Sequence, residues 1–468
     1  MRCKVFIFVL LGVVFDLEAD AITMATWVDT VFSISPYYAI YNGTGWGTPA
    51  PITTDHAGYY DVSSACNPST STVVATWVDS ETLSPYYAVY NGGTWSVAQP
   101  ITSDPSLQGY YDVNVTFNAV NQEFIAVWSL YSDNSPYYSF YNGSTWTTPA
   151  LIATPAQTVG VVFAAVNTFN GDIFAGWVDG ISNYVKVAIY HNGSWGEPMQ
   201  VGGGLNYALD DAYLVYDPYR NVMMTTWGGA YISARYPYYS IFDGTSWSTP
   251  TPIHTTVTVS DDVYACFDST SNTIIATWAS SLSPWHPYYS IFDGTEWSVP
   301  VSFEGSSLNV SFDVSVAYNP TLQKAVSTWS NRPSPNDQSY FSVYDETGWS
   351  TAVPISMVNK PHGLTLVTFN PSRPFINPPS NLTGLRQKNN FGLAYEWYNT
   401  ISWTASSSSF VVGYHVYQND ILIASVGAET LSYAQHNQPQ QQITTYSVTA
   451  FDEYNNESQP VSLTLSNL

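Results

Sequence analysis

The chain has 468 residues, room for two or three domains, and it is 16% aromatic but only 10% charged. Helix-favouring Lys and Glu are scarce, whereas Tyr, Trp, Val, Thr and Ser are abundant, so we predict an all-β protein. The net charge of −24, from 35 acidic and 11 basic residues, provides no basic stripe and disfavours nucleic acid and anionic membranes as partners. Such a charge suits a soluble extracellular protein, and it would also attract a cation or a basic partner.

Residues 1–21 have the pattern of a secretory signal peptide. Arg2 and Lys4 precede an apolar run at residues 5–15, which is too short to span a bilayer. Ala19-Asp20-Ala21 has the form of a cleavage site, so the mature chain would start near Ile22. No later apolar run is long enough to insert into a membrane. We therefore expect a protein that is secreted or held at the cell surface or in the periplasm.

Two tryptophans recur about 50 residues apart along residues 22–374. The first lies in an Ala-Thr-Trp-like strand at Trp27, Trp77, Trp128, Trp177, Trp227, Trp278 and Trp329. The second follows an Asn-Gly or Asp-Gly-like turn at Trp46, Trp95, Trp146, Trp195, Trp247, Trp297 and Trp349. A Pro-Tyr-Tyr stands between the two in most copies. The pattern indicates seven copies of one β-rich unit.

Residues 262–300 show this unit most clearly, and we predict four short strands in it. They fall at residues 262–267, 273–279, 288–292 and around Trp297, with a tight turn at Asp293-Gly294-Thr295. Four strands in each copy is typical of a β-propeller blade, so seven copies predict a seven-bladed β-propeller over residues 22–374. The chain enters in the second strand of the first blade, and residues 364–371 look like one more first strand. The N-terminal and C-terminal strands would therefore close the ring.

The hairpins carry a further resemblance. Phe242-Asp243-Gly244-Thr245-Ser246-Trp247 resembles a shortened Asp-box, the blade hairpin of sialidase-like propellers. In that family these hairpins are structural and lie away from the active site, so the resemblance implies a fold and little about activity. A sialidase also needs an arginine cluster for the substrate carboxylate. The predicted propeller carries only four arginines, which we do not expect to meet: Arg220, Arg235, Arg332 and Arg373.

The repeat ends near Pro374, and residues 376–468 follow a different pattern. Trp403 ends an Ile-Ser-Trp strand, and Tyr446 precedes Val448 and Ala450 in another strand. On these residues the segment resembles a fibronectin type III module over its whole length, with Trp403 as the core tryptophan and Tyr446 as the tyrosine corner. The resemblance implies a C-terminal β-sandwich that serves as a spacer or docking module.

Five aspartates recur sixteen residues before the first tryptophan of a copy, where the strand that usually lines a propeller channel begins: Asp61, Asp112, Asp211, Asp262 and Asp313. Carboxylates around one channel mouth must be solvated, bonded to backbone N–H groups or bridged by a cation. Each aspartate would then lock its blade to the next, or together they would hold a basic ligand or Ca²⁺. No calcium-loop motif is present, so calcium is the one cofactor left open and no metal ligands are assigned.

Loops that vary between the copies share one predicted face of the propeller. They carry aromatic and histidine side chains at His56, Tyr59, Tyr60, Tyr110, Tyr111, Tyr131, Tyr231, Trp285 and His286. Variable loops on a constant scaffold are where binding specificity is commonly built. We therefore add five residues to the aspartates as candidate ligand-binding residues: Tyr60, Tyr111, Tyr231, Trp285 and His286.

The sequence thus predicts a non-enzymatic protein that binds a carbohydrate or an extracellular protein through this loop face. The alternative is a glycan-active enzyme, sialidase-like or another glycosidase, with carboxylates in the channel. A purely structural surface protein is the third possibility. No catalytic residue is assigned, because no Ser-His-Asp set, phosphate loop or dinucleotide motif is present.

Overall fold

The computed structural model describes residues 23–465, except 30–33, 43–44, 154–157, 203–206, 232–233, 282–284, 304–308, 321, 333–337, 346–347, 356–364, 370–375, 377, 407, 409–410, 420, 441–442, 452–456 and 459. The side chains of residues 158–159, 207, 209–210, 230–231, 234, 309, 311–313, 331–332 and 369 also lie outside the described residues. The predicted signal peptide lies outside them as well. The described part of the chain forms strands and turns but no helix, which confirms the all-β prediction.

The chain divides into two compact units, one formed mainly by residues before Arg373 and one mainly by residues after it. The strands of the first unit, in chain order, are β1 (Thr23–Asp29), β2 (Ser35–Tyr41), β3 (Ala50–Pro51), β4 (Ser63–Asn67), β5 (Thr72–Val78), β6 (Pro85–Tyr90), β7 (Gln99–Pro100), β8 (Gly109–Asn118), β9 (Glu123–Leu130), β10 (Pro136–Tyr141), β11 (Ala150–Leu151), β12 (Thr158–Val166), β13 (Ile173–Asp179), β14 (Val185–His191), β15 (Ser194–Trp195), β16 (Met199–Val201), β17 (Tyr207–Asp217), β18 (Val222–Tyr231), β19 (Ala234–Phe242), β20 (Thr251–Pro252), β21 (Val263–Asp268), β22 (Thr273–Ala279), β23 (Pro287–Phe292), β24 (Val301–Ser302), β25 (Asn309–Asn319), β26 (Lys324–Arg332), β27 (Gln338–Tyr344), β28 (Val353–Pro354) and β29 (Leu366–Phe369).

The described strands of the first unit form seven antiparallel sheets, which we number by the order of their first tryptophan. Six sheets have four strands: β29-β1-β2-β3 (sheet 1), β4-β5-β6-β7 (sheet 2), β8-β9-β10-β11 (sheet 3), β17-β18-β19-β20 (sheet 5), β21-β22-β23-β24 (sheet 6) and β25-β26-β27-β28 (sheet 7). In sheet 4 the order is β12-β13-β14-β15, and β16 also pairs with β14. Consecutive four-stranded antiparallel sheets confirm a propeller-like all-β fold.

The first tryptophan of every copy is almost fully buried in its own sheet. The residue before it is a threonine in five of the sheets, and its hydroxyl donates to a backbone carbonyl of the next sheet at 2.5–2.7 Å. In sheet 1 this donor is Thr26 and the acceptor is Val62 of the chain entering sheet 2. In sheet 7 it is Thr328, and its acceptor is Thr365, next to β29 of sheet 1. The same bond therefore links sheet 7 back to sheet 1.

A repeated aromatic contact also joins neighbouring sheets. The second tyrosine of Pro-Tyr-Tyr packs against the second tryptophan of the following sheet, with ring centroids 5.4–5.5 Å apart, in Tyr38–Trp95, Tyr87–Trp146, Tyr138–Trp195, Tyr239–Trp297 and Tyr289–Trp349. In sheet 7 the equivalent residue is Phe341, which lies edge-on to Trp46 of sheet 1 at 5.7 Å. These residues are scaffold, because each aromatic pair is used to hold two sheets together.

Sheet 1 is built from both ends of the unit, as expected for ring closure. Strand β29 pairs antiparallel with β1, and Val367 stands opposite Ala25. A single buried core spans the two ends, since Val367 packs with Trp27 of sheet 1 and with Val326 of sheet 7. The edge of β1 is thereby covered, which removes an open site for strand pairing.

The predicted fourth strand at Trp297 is wrong in position. Trp297 forms only an isolated bridge to Phe292, and the paired outer strand is β24, whose Val301 stands opposite Tyr289. Pro300 separates the two, and a proline has no N–H to donate to a ladder. The predicted strand pattern is otherwise close to β21, β22 and β23.

The second unit is a β-sandwich, as predicted. Its strands are β30 (Ser380–Asn390), β31 (Tyr395–Thr404), β32 (Gly413–Gln418), β33 (Ile421–Gly427), β34 (Ser432–Gln435), β35 (Thr444–Phe451) and β36 (Val461–Leu465). They form one sheet in the order β30-β31-β34 and another in the order β33-β32-β35-β36. Trp403 and Tyr414 from the two sheets meet edge-on at 5.6 Å in the core. The hydroxyl of Tyr446 accepts a hydrogen bond from Asn399 at 2.9 Å.

Candidate functional site

The inner strands of the first unit enclose a cavity of about 170 Å³. Each of the seven sheets contributes to its wall, for example through Ser63, Asn114, Phe163, Tyr213, Tyr264, Ser315 and Leu366. On one side three aromatic rings lie in tilted contact: the ring centroid of Tyr213 is 3.9 Å from that of Phe163 and 3.7 Å from that of Tyr264. The cavity is smaller than the roughly 300–1,000 Å³ common for small-molecule sites, so a ligand surface is expected outside it.

The inner strands bulge just before they enter the sheets. In sheet 3, Gly109 pairs with Leu130 and Val113 pairs with Trp128. Between these two pairs β8 advances by four residues and β9 by only two. Sheets 4, 5 and 7 show the same register shift. A bulge leaves residues without a ladder partner and re-aims their side chains. Asp112, Asp211 and Asp313 lie at these bulges, whereas Asp61 and Asp262 lie just before β4 and β21.

Three aspartate carboxylates accept hydrogen bonds from backbone N–H groups in the inner segment of the neighbouring sheet. Oδ1 of Asp112 accepts the N–H of Asp61 at 2.8 Å, and Oδ1 of Asp211 accepts the N–H of Val161 at 2.7 Å. Oδ1 of Asp262 accepts the N–H of Asp211 at 3.1 Å. Each contact runs from one sheet to the preceding one. The carboxylates thus satisfy backbone donors that lie outside the ladder, in the bulges at Val161 and Asp211 and just before β4 at Asp61. The Asp313 side chain lies outside the described residues.

Asp112 differs from an ordinary surface aspartate. Burial raises the pKa of its carboxyl to about 6, and the hydrogen bond from Asp61 opposes that shift. Asp112 lies near the ring of Tyr60, where its charge also contributes to a raised tyrosine pKa, after burial and the neighbouring Tyr59. A carboxyl group with a raised pKa therefore lies beside an exposed aromatic side chain.

The tetrapeptide Gly-Tyr-Tyr-Asp occurs twice, at residues 58–61 and 109–112, in consecutive sheets. Each glycine N–H donates to the preceding sheet's loop, from Gly58 to Ile34 at 2.7 Å and from Gly109 to Leu83 at 2.8 Å. A Cβ at Gly58 would lie 2.6 Å from the side chain of Val28, and a Cβ at Gly109 would lie 2.7 Å from the side chain of Val78. Only glycine allows this approach, so both copies are anchored in the same way.

The tyrosines of the two copies form one cluster of rings together with Tyr131. Ring centroids are 4.6 Å apart for Tyr59–Tyr60, 5.3 Å for Tyr60–Tyr111, 4.0 Å for Tyr111–Tyr110 and 5.7 Å for Tyr110–Tyr131. Tyr60 is 37% exposed and Tyr131 is 48% exposed, while the other three are half-buried. We call Tyr59, Tyr60, Tyr110, Tyr111 and Tyr131 the tyrosine cluster.

Backbone contacts hold the tyrosine cluster in place. The N–H of Tyr131 donates to Gln108 at 2.9 Å, and the Gln108 side chain donates to the Thr82 carbonyl at 2.8 Å. The N–H of Tyr59 donates to Val78 at 2.9 Å. The loops that carry the rings are thus fixed to the strands of sheets 2 and 3, so the surface is preformed.

The remaining candidates lie elsewhere in the first unit. Trp285 is 40% exposed, and its carbonyl accepts the N–H of Val310 at 2.8 Å. The backbone N–H of His286 donates to the Ser280 hydroxyl at 3.2 Å. No described contact brings either residue to the tyrosine cluster. The backbone of Tyr231 ends β18, but its side chain lies outside the described residues.

Metal and thiol chemistry find no support in the described part of the chain. Within it, no group of three or more His, Cys, Asp or Glu side chains is placed to hold a metal ion, and calcium stays a prediction. Cys66 and Cys266 are free thiols. Burial raises the pKa of Cys66 to about 12 and that of Cys266 well above its usual value, so neither thiol is activated. Among the described residues there is no helix long and apolar enough to cross a membrane.

Sequence reasoning selected Tyr60 and Tyr111 but gave Tyr59, Tyr110 and Tyr131 no role as binding residues. The signal that could have found them is the repeated Gly-Tyr-Tyr-Asp, which occurs in only two of the seven copies. Contact between Tyr110 and Tyr131 depends on the loop after β9, whose path the sequence alone does not specify.

Comparisons with known proteins give weak likenesses. No family model matches the chain, and no curated protein matches it. Among solved structures it is similar to AofleA from Arthrobotrys oligospora, with 12% identity, a TM-score of 0.46, and coverage of 66% of this chain and 89% of that one. It is also similar to the SapL1 lectin in complex with alpha methyl fucoside, at 12% identity and a TM-score of 0.42 over 64% of this chain and 96% of that one. The polysaccharide lyase Uly1 gives 9% identity and a TM-score of 0.39 over 83% of this chain and 91% of that one. At these values the likenesses assign no role to any residue here.

Proposed function

We propose that the protein binds carbohydrate through the tyrosine cluster. The observation that carries this proposal is the chain of contacting rings in which Tyr60 and Tyr131 are exposed, with Tyr111 and Tyr110 between them. Aromatic faces stack on the apolar faces of sugar rings, and phenolic hydroxyls can bond to sugar hydroxyls. A protein would normally bury five contacting tyrosines between sheets, as it does with its Pro-Tyr-Tyr residues. In the tyrosine cluster, Tyr60 and Tyr131 are instead exposed.

The charge of the protein restricts the kind of glycan. With 35 acidic against 11 basic residues, the protein repels anionic ligands. Asp112 lies close to Tyr60 and adds negative charge locally above its pKa. We therefore propose that the ligand is a glycan without carboxylate or sulfate groups.

A glycan array of the full-length protein tests this proposal. We expect binding to neutral glycans, and at least about a tenfold loss of affinity in Tyr60→Ala or Tyr131→Ala, because each removes one exposed stacking face. Tyr395→Ala is the matched control, since Tyr395 is an exposed tyrosine of the second unit. Tyr60→Phe and Tyr131→Phe keep the ring and should retain most of the binding.

Two results would contradict the proposal. One is that no neutral glycan binds at any concentration tested. The other is that binding is unchanged in both alanine variants but lost in Trp285→Ala, which would move the site to the loop that carries Trp285 and His286.

A second candidate is a glycan-active enzyme, and the environment of Asp112 favours it. A carboxyl group with a pKa of about 6 can act as a general acid near neutral pH, and this one lies beside the tyrosine cluster. Turnover of neutral oligosaccharides or chromogenic glycosides that is abolished in Asp112→Asn would establish the enzyme. Saturable binding without turnover supports the binding protein.

Further proposals rest on the sequence patterns. We infer that the seven sheets are the blades of one seven-bladed propeller over residues 22–374, which the shared wall of the central cavity supports. We infer that residues 376–468 are a fibronectin type III-like module, supported by the strand order of their two sheets. Residues 1–21 would export a protein that is then secreted or held at the surface or in the periplasm. An extracellular protein is the other partner class, with no role for nucleic acid or membrane insertion.

A further inference from the structure

We infer that the tyrosine cluster binds a single glycan chain along its length, rather than one terminal sugar or the flat face of a crystalline polysaccharide. This inference rests on the proposed carbohydrate-binding function and specifies its ligand class.

The tilt between the rings excludes a flat ligand. Neighbouring rings make interplanar angles of 83° for Tyr59–Tyr60, 59° for Tyr60–Tyr111, 68° for Tyr111–Tyr110 and 46° for Tyr110–Tyr131. A crystalline polysaccharide surface is planar and needs several coplanar aromatic faces. With these angles, no two neighbouring rings could both lie flat on such a surface. A free chain can twist at its glycosidic bonds and present successive sugars at different angles.

The exposed faces are placed for a ligand of several residues. Tyr60 and Tyr131 are exposed, and the half-buried Tyr111 and Tyr110 lie between them in the order of contacts. One sugar ring covers about one aromatic face, so a monosaccharide cannot use both exposed tyrosines. A chain that stacks on Tyr60 and on Tyr131 must cross the two middle rings with further sugar residues.

The middle of the cluster is held rigid. The hydroxyl of Tyr111 donates to that of Tyr110 at 3.2 Å. The carboxylate of Asp112 ties the first Gly-Tyr-Tyr-Asp copy to the second through the N–H of Asp61. Because the spacing of the exposed faces is preformed, a longer ligand gains contacts without an ordering cost in the protein. Affinity should therefore rise with chain length until both ends are engaged.

Calorimetric titration of the full-length protein tests this inference. The probes are homologous neutral series of cello-, chito-, xylo- and manno-oligosaccharides, from monosaccharide to pentasaccharide. We expect the affinity for the best series to rise at least about tenfold between the monosaccharide and the tetrasaccharide. Microcrystalline cellulose and crystalline chitin powder should retain none of the protein under the same conditions.

Variants separate the two ends of the cluster. Tyr131→Ala and Tyr60→Ala should each flatten the length dependence and lower tetrasaccharide affinity by about tenfold. At least one of the two should leave monosaccharide affinity within about twofold of the parent. Tyr131→Phe and Tyr60→Phe keep the stacking face and should preserve the length dependence, while thermal unfolding of each variant confirms that it is folded.

The outcomes distinguish this inference from the function it rests on. Equal affinity for monosaccharide and tetrasaccharide, lost in Tyr60→Ala, would contradict binding of a glycan chain along the cluster. It would still support carbohydrate binding at the tyrosine cluster. Retention on crystalline powder with the strength of the soluble chain would contradict binding of a single chain as well. Absence of binding to every series and to the array removes the proposed function together with the inference.

Discussion

Asp112 bonds to a backbone N–H just before strand β4 of the neighbouring sheet. Its Oδ1 lies 2.8 Å from the nitrogen of Asp61, and the two residues belong to consecutive sheets. Asp211 and Asp262 repeat this contact. An aspartate in this position joins two sheets through a backbone N–H, which suits a protein with only 11 basic residues.

The hydrogen bond from the Asp61 N–H to Asp112 predicts different effects for two substitutions of Asp112. Asp112→Ala removes the acceptor and leaves the Asp61 N–H unpaired, so we expect it to lower the free energy of unfolding by about 1–3 kcal/mol at neutral pH. Asp112→Asn keeps an oxygen acceptor and removes the charge, so its effect should be smaller. Urea denaturation measures the free energy of unfolding of both variants. An equal loss in both would contradict a stabilising hydrogen bond between Asp112 and the Asp61 N–H.

The pKa of Asp112 adds a prediction about pH. The pKa of this carboxyl is 3.8 in the unfolded chain and about 6 in the folded protein. Between these values the folded protein binds more protons, so this group makes the free energy of unfolding fall as pH rises from about 4 to about 6. Asp112→Asn should lose that component. A pH series of urea denaturation compares the two chains, and an unchanged slope would show that Asp112 is not the titrating group.

At this scale the sequence predicted some roles and missed others for physical reasons. The sixteen-residue offset of the aspartates identified side chains that bond from sheet to sheet, because the spacing of a repeat fixes equivalent positions. The contact between Tyr60 and Tyr111 depends on bulges in two inner strands and on the loop that carries Tyr131. Bulges have no strong sequence signal, so these ring contacts required the structure.

Strand β29 completes sheet 1 and joins the two ends of the first unit. Its residue Val367 is buried against the cores of sheets 1 and 7, and the carbonyl of Thr365 accepts the hydroxyl of Thr328 at 2.5 Å. Without β29, the inner edge of β1 would be open. The stability of the whole ring should therefore depend on these four residues.

Proline substitutions in β29 test ring closure. Alternate residues of an antiparallel strand point their N–H groups to the partner, so one of Leu366→Pro and Val367→Pro must remove a ladder hydrogen bond with β1. We expect that variant to lose at least about 1–3 kcal/mol of unfolding free energy, with a clearly lower melting temperature. Val97→Pro is the control, because Val97 is exposed and lies outside the strands. Melting curves that match for all three variants would contradict closure by β29.

At the level of elements, the tryptophan spacing predicted most strands because each copy must bury the same residue in the same place. It did not predict the outer strand. The second tryptophan packs against the preceding sheet, and Pro300 delays the pairing to Val301–Ser302. Aromatic patterns thus locate burial more reliably than they locate the last hydrogen-bonded pair.

At the scale of the whole molecule, aromatic residues serve two purposes. Most of them lock neighbouring sheets together, as Phe341 and Trp46 do where the unit closes. The tyrosine cluster lies on the same scaffold but keeps two rings exposed. The net charge of −24 over the whole chain disfavours anionic ligands. Exposed tyrosines elsewhere, such as Tyr219 and Tyr395, have no such neighbouring cluster among the described residues.

Site-resolved tyrosine nitration tests directly whether glycan binds at the tyrosine cluster. The full-length protein is treated with tetranitromethane, with and without a saturating neutral oligosaccharide, and each tyrosine is quantified by peptide mass spectrometry. If glycan covers the cluster, we expect the ligand to lower nitration of Tyr60 and Tyr131 several-fold, while Tyr219 and Tyr395 are nitrated as before. Equal nitration of Tyr60 and Tyr131 in the two samples, under conditions where binding is saturated, would contradict it.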